Sequence, residues 1–176
     1  MHYNFFCFIE DFDLNLINNL PKKTSIIYRN YNTHININTI IKIKDICKKN
    51  GHKLYLANNI KLALKLNLDG AYIPAFNKSF KVNSYNLKIK FKLIGSAHNL
   101  KEIRNKEIQK VSYLFLSPLF LSKKNEKSLG IYKFMNLSQK TRKKIVCLGG
   151  INKDNIKKIN LIKPYGIAAI SFFTKK

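Results

Sequence analysis

At 176 residues and 45% hydrophobic content, the chain is long enough for one domain with a real core and too short for two. Its formal net charge is +24, supplied mostly by lysines spread over nearly every polar segment among many Ile and Asn. That spread reads as compositional bias of an AT-rich genome. With no basic block interleaved with aromatics, it argues against a specific nucleic-acid site, while a positive surface attracts phosphorylated small molecules.

The longest apolar stretch, residues 113–121, is broken by Ser117 and Pro118. It falls short of the roughly 20 residues a membrane helix needs. The start does not read as a signal peptide, because no basic region precedes residues 3–9 and Glu10, Asp11 and Asp13 follow at once. Cys7, Cys47 and Cys147 stand far apart in apolar contexts. They read as small buried hydrophobes in a reducing compartment. A cytoplasmic protein with no membrane contact is expected.

Residues 3–9 (YNFFCFI) predict a buried first strand. Residues 13–20 have helical spacing through Leu14, Ile17 and Leu20, and Pro21 stops them. Residues 25–28 are a second strand that delivers Arg29, Asn30 and Tyr31 at its carboxyl end. Asn38 is expected to cap an amphipathic helix with Ile40, Ile41, Ile43, Ile46 and Cys47 on one face, ended by Gly51. Residues 53–57 form a third strand ending at Asn58 and Asn59, and residues 60–66 a short helix.

Asp69-Gly70 turns into a fourth strand over residues 71–73, and residues 75–90 carry no helix signal. Residues 91–94 are a fifth strand leading into Gly95-Ser96-Ala97-His98-Asn99. Asn99 and Glu102 have the spacing of a capping box for a helix over residues 100–106. Residues 111–116 make a sixth strand, followed by a polar loop over 122–130 and a helix over 132–138. Residues 144–148 are a seventh strand, then Gly149-Gly150, then a helix over 153–159 capped by Asn152. Residues 165–170 form the eighth strand, before Ser171.

The strands are continuous apolar runs without alternation, the mark of a parallel sheet covered on both faces. Eight of them predict a closed (β/α)₈ barrel, class α/β, over residues 1–176 as a single domain. About 250 residues is typical for that fold. This barrel must therefore be trimmed, with the helices after the fourth and eighth strands reduced or missing.

A barrel gathers its strand ends at one rim. The polar residues expected there are Arg29, Asn58, Asn59, Asn77, Ser96, His98, Ser117, Ser122, Lys123, Lys124, Gly149, Gly150 and Ser171. One fixed guanidinium, neutral hydrogen-bonding groups, loop lysines and glycine backbone suit a phosphate-bearing ligand. In this reading no Asp or Glu stands at a strand end, which argues against hydrolysis by paired carboxylates. The four histidines have no zinc-ligand spacing.

The order of these motifs resembles the thiamine phosphate synthase/TenI family. The segments are IIYRNY (26–31), LANN with LAL (56–64), DGAYIP (69–74), IGSAHN (94–99), YLFLSPLFLSKK (113–124), SLGI (128–131), CLGGI (147–151) and GIAAIS (166–171). The resemblance implies a (β/α)₈ transferase of thiamine biosynthesis. Such a synthase joins 4-amino-2-methyl-5-pyrimidinylmethyl diphosphate to a thiazole phosphate and releases pyrophosphate with the help of Mg²⁺. It implies that Arg29 grips the pyrophosphate, with Ser96, His98 and Lys124 among the catalytic residues. It implies substrate contacts from Asn58, Ser122, Lys123, Gly149, Gly150, Ile170 and Ser171.

The family's two magnesium-binding aspartates fall at Asn59 and at or near Asn77, neutral donors where Mg²⁺ favours carboxylates. Tyr31 and Ile27 stand at a family lysine and glutamine. Two other readings stay open: a thiazole phosphate tautomerase using His98 as its acid–base group, and a non-catalytic barrel that binds a thiazole phosphate. A missing last helix leaves a flank that a homodimer would cover.

Overall fold

The computed structural model describes residues 3–31, 36–122 and 127–169. Eight parallel strands close into a barrel in sequence order, β1 pairing with both β2 and β8. They are β1 (Asn4–Ile9), β2 (Ser25–Tyr28), β3 (Lys53–Ala57), β4 (Gly70–Ile73), β5 (Lys92–Ala97), β6 (Tyr113–Leu116), β7 (Lys144–Leu148) and β8 (Gly166–Ala169). Between them run α1 (Leu14–Asn19), α2 (Ile37–Asn50), α3 (Ile60–Lys65), α4 (Leu100–Ile108) and α5 (Gly130–Ser138). No described helix is long and apolar enough to cross a membrane.

Alternate strand residues face two different cores. Phe6, Phe8, Ile27, Tyr55, Tyr72, Ile94, Phe115 and Val146 fill the barrel interior. Phe115 packs edge-on against Phe6, Phe8 and Tyr72, with ring centroids 5.0, 6.0 and 5.7 Å away. The other strand face packs on the helices, through residues such as Cys7, Ile26, Leu54, Leu93 and Leu114. The three cysteines are buried, and burial pushes the thiols of Cys7 and Cys47 up to about 12.

Among the described residues, two loops lack α-helices. After β4 there is only a 3₁₀ turn, Phe80–Ser84, in line with the trimming expected there. After β7 the expected helix over 153–159 is absent, and a 3₁₀ helix spans Ile156–Leu161. The reason is local. Asn152 accepts from the backbone N–H of Asp154 and Asn155, both at 3.0 Å, while Asn155 donates to the Gly150 carbonyl at 2.7 Å. These side-chain bonds hold the backbone in a turn that competes with an α-helical start. The segment after β8 lies outside the described residues.

Three further expectations shift. Asn36, not Asn38, caps α2, its Oδ1 accepting from Thr39 N at 3.3 Å. The earlier asparagine wins because the helix gains residues ahead of Asn38. Ile41 is exposed, since Ile40, Ile43 and Cys47 set the buried stripe and Ile41 lies off its axis at about 100° per residue. The fifth strand runs on through Gly95, Ser96 and Ala97, because Ser96 and Ala97 pair with Phe115 and Leu116 of β6.

Candidate active site

The carboxyl ends of the strands form one rim, where ligands of such barrels bind. Arg29 follows β2. Its backbone N–H donates to Ile9 O at 2.8 Å, tying the ends of β1 and β2 together. Its guanidinium lies over the Phe8 ring, 5.3 Å from the centroid, and Nη2 pairs with Glu10 Oε1 at 2.5 Å. Glu10 directly follows β1, so a carboxylate does stand at a strand end, contrary to the sequence expectation. It pairs with Arg29.

Asn58 follows β3 in a left-handed conformation, φ 57°. Its Oδ1 accepts from Asn77 Nδ2 at 2.7 Å, which joins the ends of β3 and β4. Asn59 caps α3, its Oδ1 accepting from Leu62 N at 3.0 Å. Asn77 Oδ1 accepts from Ser79 N at 2.9 Å. Asn59 and Asn77, at or near the positions where the resemblance leads one to expect metal ligands, thus spend their side-chain oxygens on backbone N–H groups. Among the described residues no cluster of three or more His, Cys, Asp or Glu could hold a metal. Neutral oxygens already engaged do not fit Mg²⁺, which takes carboxylates. A groove of about 220 Å³ lies between the start of α3 and the segment after β4, lined by Asn58, Asn59, Asn77, Ser79 and Lys81 among others.

Ser96 is buried on the inward face of β5, beside the Tyr72 phenol. Burial pushes that phenol up, so it stays neutral. His98 is exposed just past β5. Its Nδ1 lies 2.9 Å from Ser117 O and 3.2 Å from Ser117 Oγ, and its backbone N–H donates to Glu102 Oε2 at 2.7 Å. A carbonyl only accepts, so this contact puts the proton of a neutral ring on Nδ1 and leaves Nε2 as the acceptor.

Gly149 and Gly150 follow β7 with φ of 95° and 67°. The segment after β6, residues 118–121, lies directly over them as a strap. Phe120 N donates to Gly149 O at 3.1 Å, and Leu119 N to Leu148 O at 2.9 Å. A Cβ on Gly150 would sit 2.4 Å from Phe120 O, and one on Gly149 would sit 2.9 Å from Pro118 Cα. The glycines are therefore required by the strap, whether or not a ligand also approaches them. Leu129 N and Gly130 N return to Pro118 O and Leu119 O at 2.9 and 3.1 Å, closing the loop that carries the half-buried Ser122. Lys123, Lys124, Ile170 and Ser171 lie outside the described residues.

One residue at this rim was missed. Lys106 of α4 is fully buried. Its Nζ donates to Pro74 O at 2.9 Å, Asn77 O at 2.8 Å and Gln109 Oε1 at 2.7 Å. Burial pulls its pKa down to about 8, with the Glu102 charge opposing. The signal was available: Lys106 lies three residues after the buried Ile103, on the same helix face.

The family model for thiamine monophosphate synthase matches residues 17–173. The chain belongs to this family. It is 33% identical over 134 residues to a thiamine-phosphate synthase of Prochlorococcus marinus, covering 74% of this chain and 38% of that protein. It is 26% identical over 140 residues to a thiamine-phosphate synthase of Staphylococcus epidermidis, covering 77% of this chain and 65% of that protein. The chain thus spans between about two fifths and just under two thirds of these curated relatives. A thiamine phosphate pyrophosphorylase from Pyrococcus furiosus superposes with a TM-score of 0.77 at 17% identity, over 96% of this chain and 85% of that one. At that identity the likeness carries the barrel fold alone.

Proposed function

We propose that this chain acts in thiamine biosynthesis as a thiamine-phosphate-synthase-like transferase. The substrates are a pyrimidinylmethyl diphosphate and a thiazole phosphate. The C–O bond to the diphosphate breaks, its electron pair leaves with pyrophosphate, and the thiazole nitrogen lone pair captures the pyrimidine-methyl cation. Charge develops on the departing pyrophosphate, so the chain's work is to stabilise that charge and align the nucleophile.

The observation that carries the reading is Arg29. It is a guanidinium fixed at the rim by Glu10 and Phe8, in a chain of this family. The ion pair uses Nη2, and the guanidinium has further N–H donors for a diphosphate. Gly149 and Gly150, with Ile170 and Ser171, are the proposed thiazole phosphate site. Asn58, Ser122 and Lys123 complete the substrate contacts, and Ser96, His98 and Lys124 border the reacting centre. No step runs through Mg²⁺, because Asn59 and Asn77 do not fit it. A net charge of +24 favours encounter with both anionic substrates.

A second reading rests on His98. With its Nδ1 proton directed to the Ser117 carbonyl, Nε2 suits the base of a thiazole phosphate tautomerase. The test of the first reading is product formation by the wild type and by Arg29→Ala. The wild type makes thiamine phosphate, and the variant loses about 100-fold or more in kcat/KM. Equal activity of the two contradicts the role of Arg29.

A further inference from the structure

The resemblance puts two metal-binding carboxylates at Asn59 and at or near Asn77, where this chain has neutral asparagines, yet a cation is present beside them. Lys106 Nζ lies 2.8 Å from the carbonyl of Asn77. Its three acceptors are Pro74 O, Asn77 O and Gln109 Oε1. An amine that donates three hydrogen bonds carries three protons and hence a positive charge. All three acceptors are neutral. Glu102, whose charge reaches Lys106, is committed to the start of α4, where it accepts from His98 N at 2.7 Å and Asn99 Nδ2 at 3.1 Å.

A buried ammonium is costly unless fully hydrogen-bonded. Here the bonds do more than satisfy it. Gln109, which accepts from Lys106, also donates to Asn77 O at 3.0 Å and Ser79 O at 2.9 Å. The pair therefore clamps the segment after β4 onto α4 from beneath. That segment presents Asn77, whose side chain bonds Asn58 across the groove.

We infer that Lys106 is an internal cation that takes over from the metal, holding the β4 rim segment and supplying positive charge beside it, so that this chain binds diphosphate without Mg²⁺. The inference rests on the synthase reading above. Lys106 is a positioning residue, since its side chain is fully buried. Replacing two carboxylates by asparagine removes repulsion against a bare diphosphate. A lysine held below the same segment adds attraction in a low-dielectric setting.

The test is calorimetric titration of the full chain with inorganic pyrophosphate at neutral pH, in EDTA and in excess Mg²⁺. Titration with thiazole phosphate serves as the control. The wild type binds pyrophosphate in EDTA at least as tightly as in Mg²⁺. Lys106→Met, checked for folding by circular dichroism, loses about ten-fold in pyrophosphate affinity and keeps its thiazole phosphate affinity. Should that variant not fold, Lys106→Gln retains a donor and is read in the same way. Pyrophosphate binding by the wild type only in Mg²⁺ overturns the inference and leaves the synthase reading standing. Equal losses for both ligands in the variant reduce Lys106 to a structural role and also overturn it. Binding of neither ligand by the wild type overturns both.

Discussion

Arg29 and Glu10 form an ion pair across the ends of neighbouring strands, Nη2 to Oε1 at 2.5 Å, with the guanidinium lying over Phe8. The strands bring them together: Ile9 pairs with Tyr28, and Arg29 N donates to Ile9 O. An exposed carboxylate thereby orients a half-buried cation at the mouth of the barrel.

Glu10→Gln tests whether that orientation serves substrate binding. Glu10 is 58% exposed, so the pair contributes less than about 1 kcal/mol to stability after solvent screening. The melting temperature should barely move. KM for the pyrimidine diphosphate should rise about 3- to 10-fold with little change in kcat, as expected for lost ground-state positioning. A fall in kcat with unchanged KM would place Glu10 in the chemistry instead.

Gly150→Ala tests the strap. The new Cβ would meet Phe120 O at 2.4 Å, at a φ of 67° that non-glycine residues seldom adopt. Either the strap moves or the turn after β7 does. Destabilisation of about 2 kcal/mol or more is expected, read from denaturant midpoints. A neutral result would mean that the strap is loosely held.

Much of this fold is legible in the amino-acid sequence because each strand is a short, fully apolar run. Ser25–Tyr28, Lys53–Ala57 and Lys144–Leu148 begin and end where their composition says. What escaped depends on contacts between distant positions. Nothing local says that Phe120 O will lie on Gly150, or that Glu10 will face Arg29. Nothing local ties Lys106 to Pro74 and Asn77, about thirty residues upstream. The helix start at Asn36 and the turn at Asn152 were obscured for another reason. Asparagine is abundant here, and its side chain stabilises caps and turns alike.

His52 gives the chain an acid limit. It is buried, its Nδ1 has no hydrogen-bond partner among the described residues, and desolvation lowers its pKa despite a bond to the Ile17 backbone. The unfolded chain therefore binds a proton at higher pH than the folded one. Between the folded-state value and the ordinary value near 6.5, stability should rise with pH, and it is lost as pH falls through that window. Melting temperatures of wild type and His52→Gln across this range check the sign. The variant should show a flatter acid limb, and parallel curves would exonerate His52.

His98→Ala separates the two enzyme readings. As a synthase the chain should keep measurable thiamine phosphate formation, since no proton transfer at His98 is needed for the bond that forms. As a tautomerase it should lose about 100-fold or more in turnover of the thiazole tautomer. Tautomerase activity undiminished in His98→Ala would remove the second reading.

The most direct measurement is thiamine phosphate formation by the purified chain, given 4-amino-2-methyl-5-pyrimidinylmethyl diphosphate and thiazole phosphate, with pyrophosphate release followed in parallel. One pyrophosphate is expected for each thiamine phosphate formed, in EDTA as well as in Mg²⁺. No product at high enzyme concentration in either condition would contradict it.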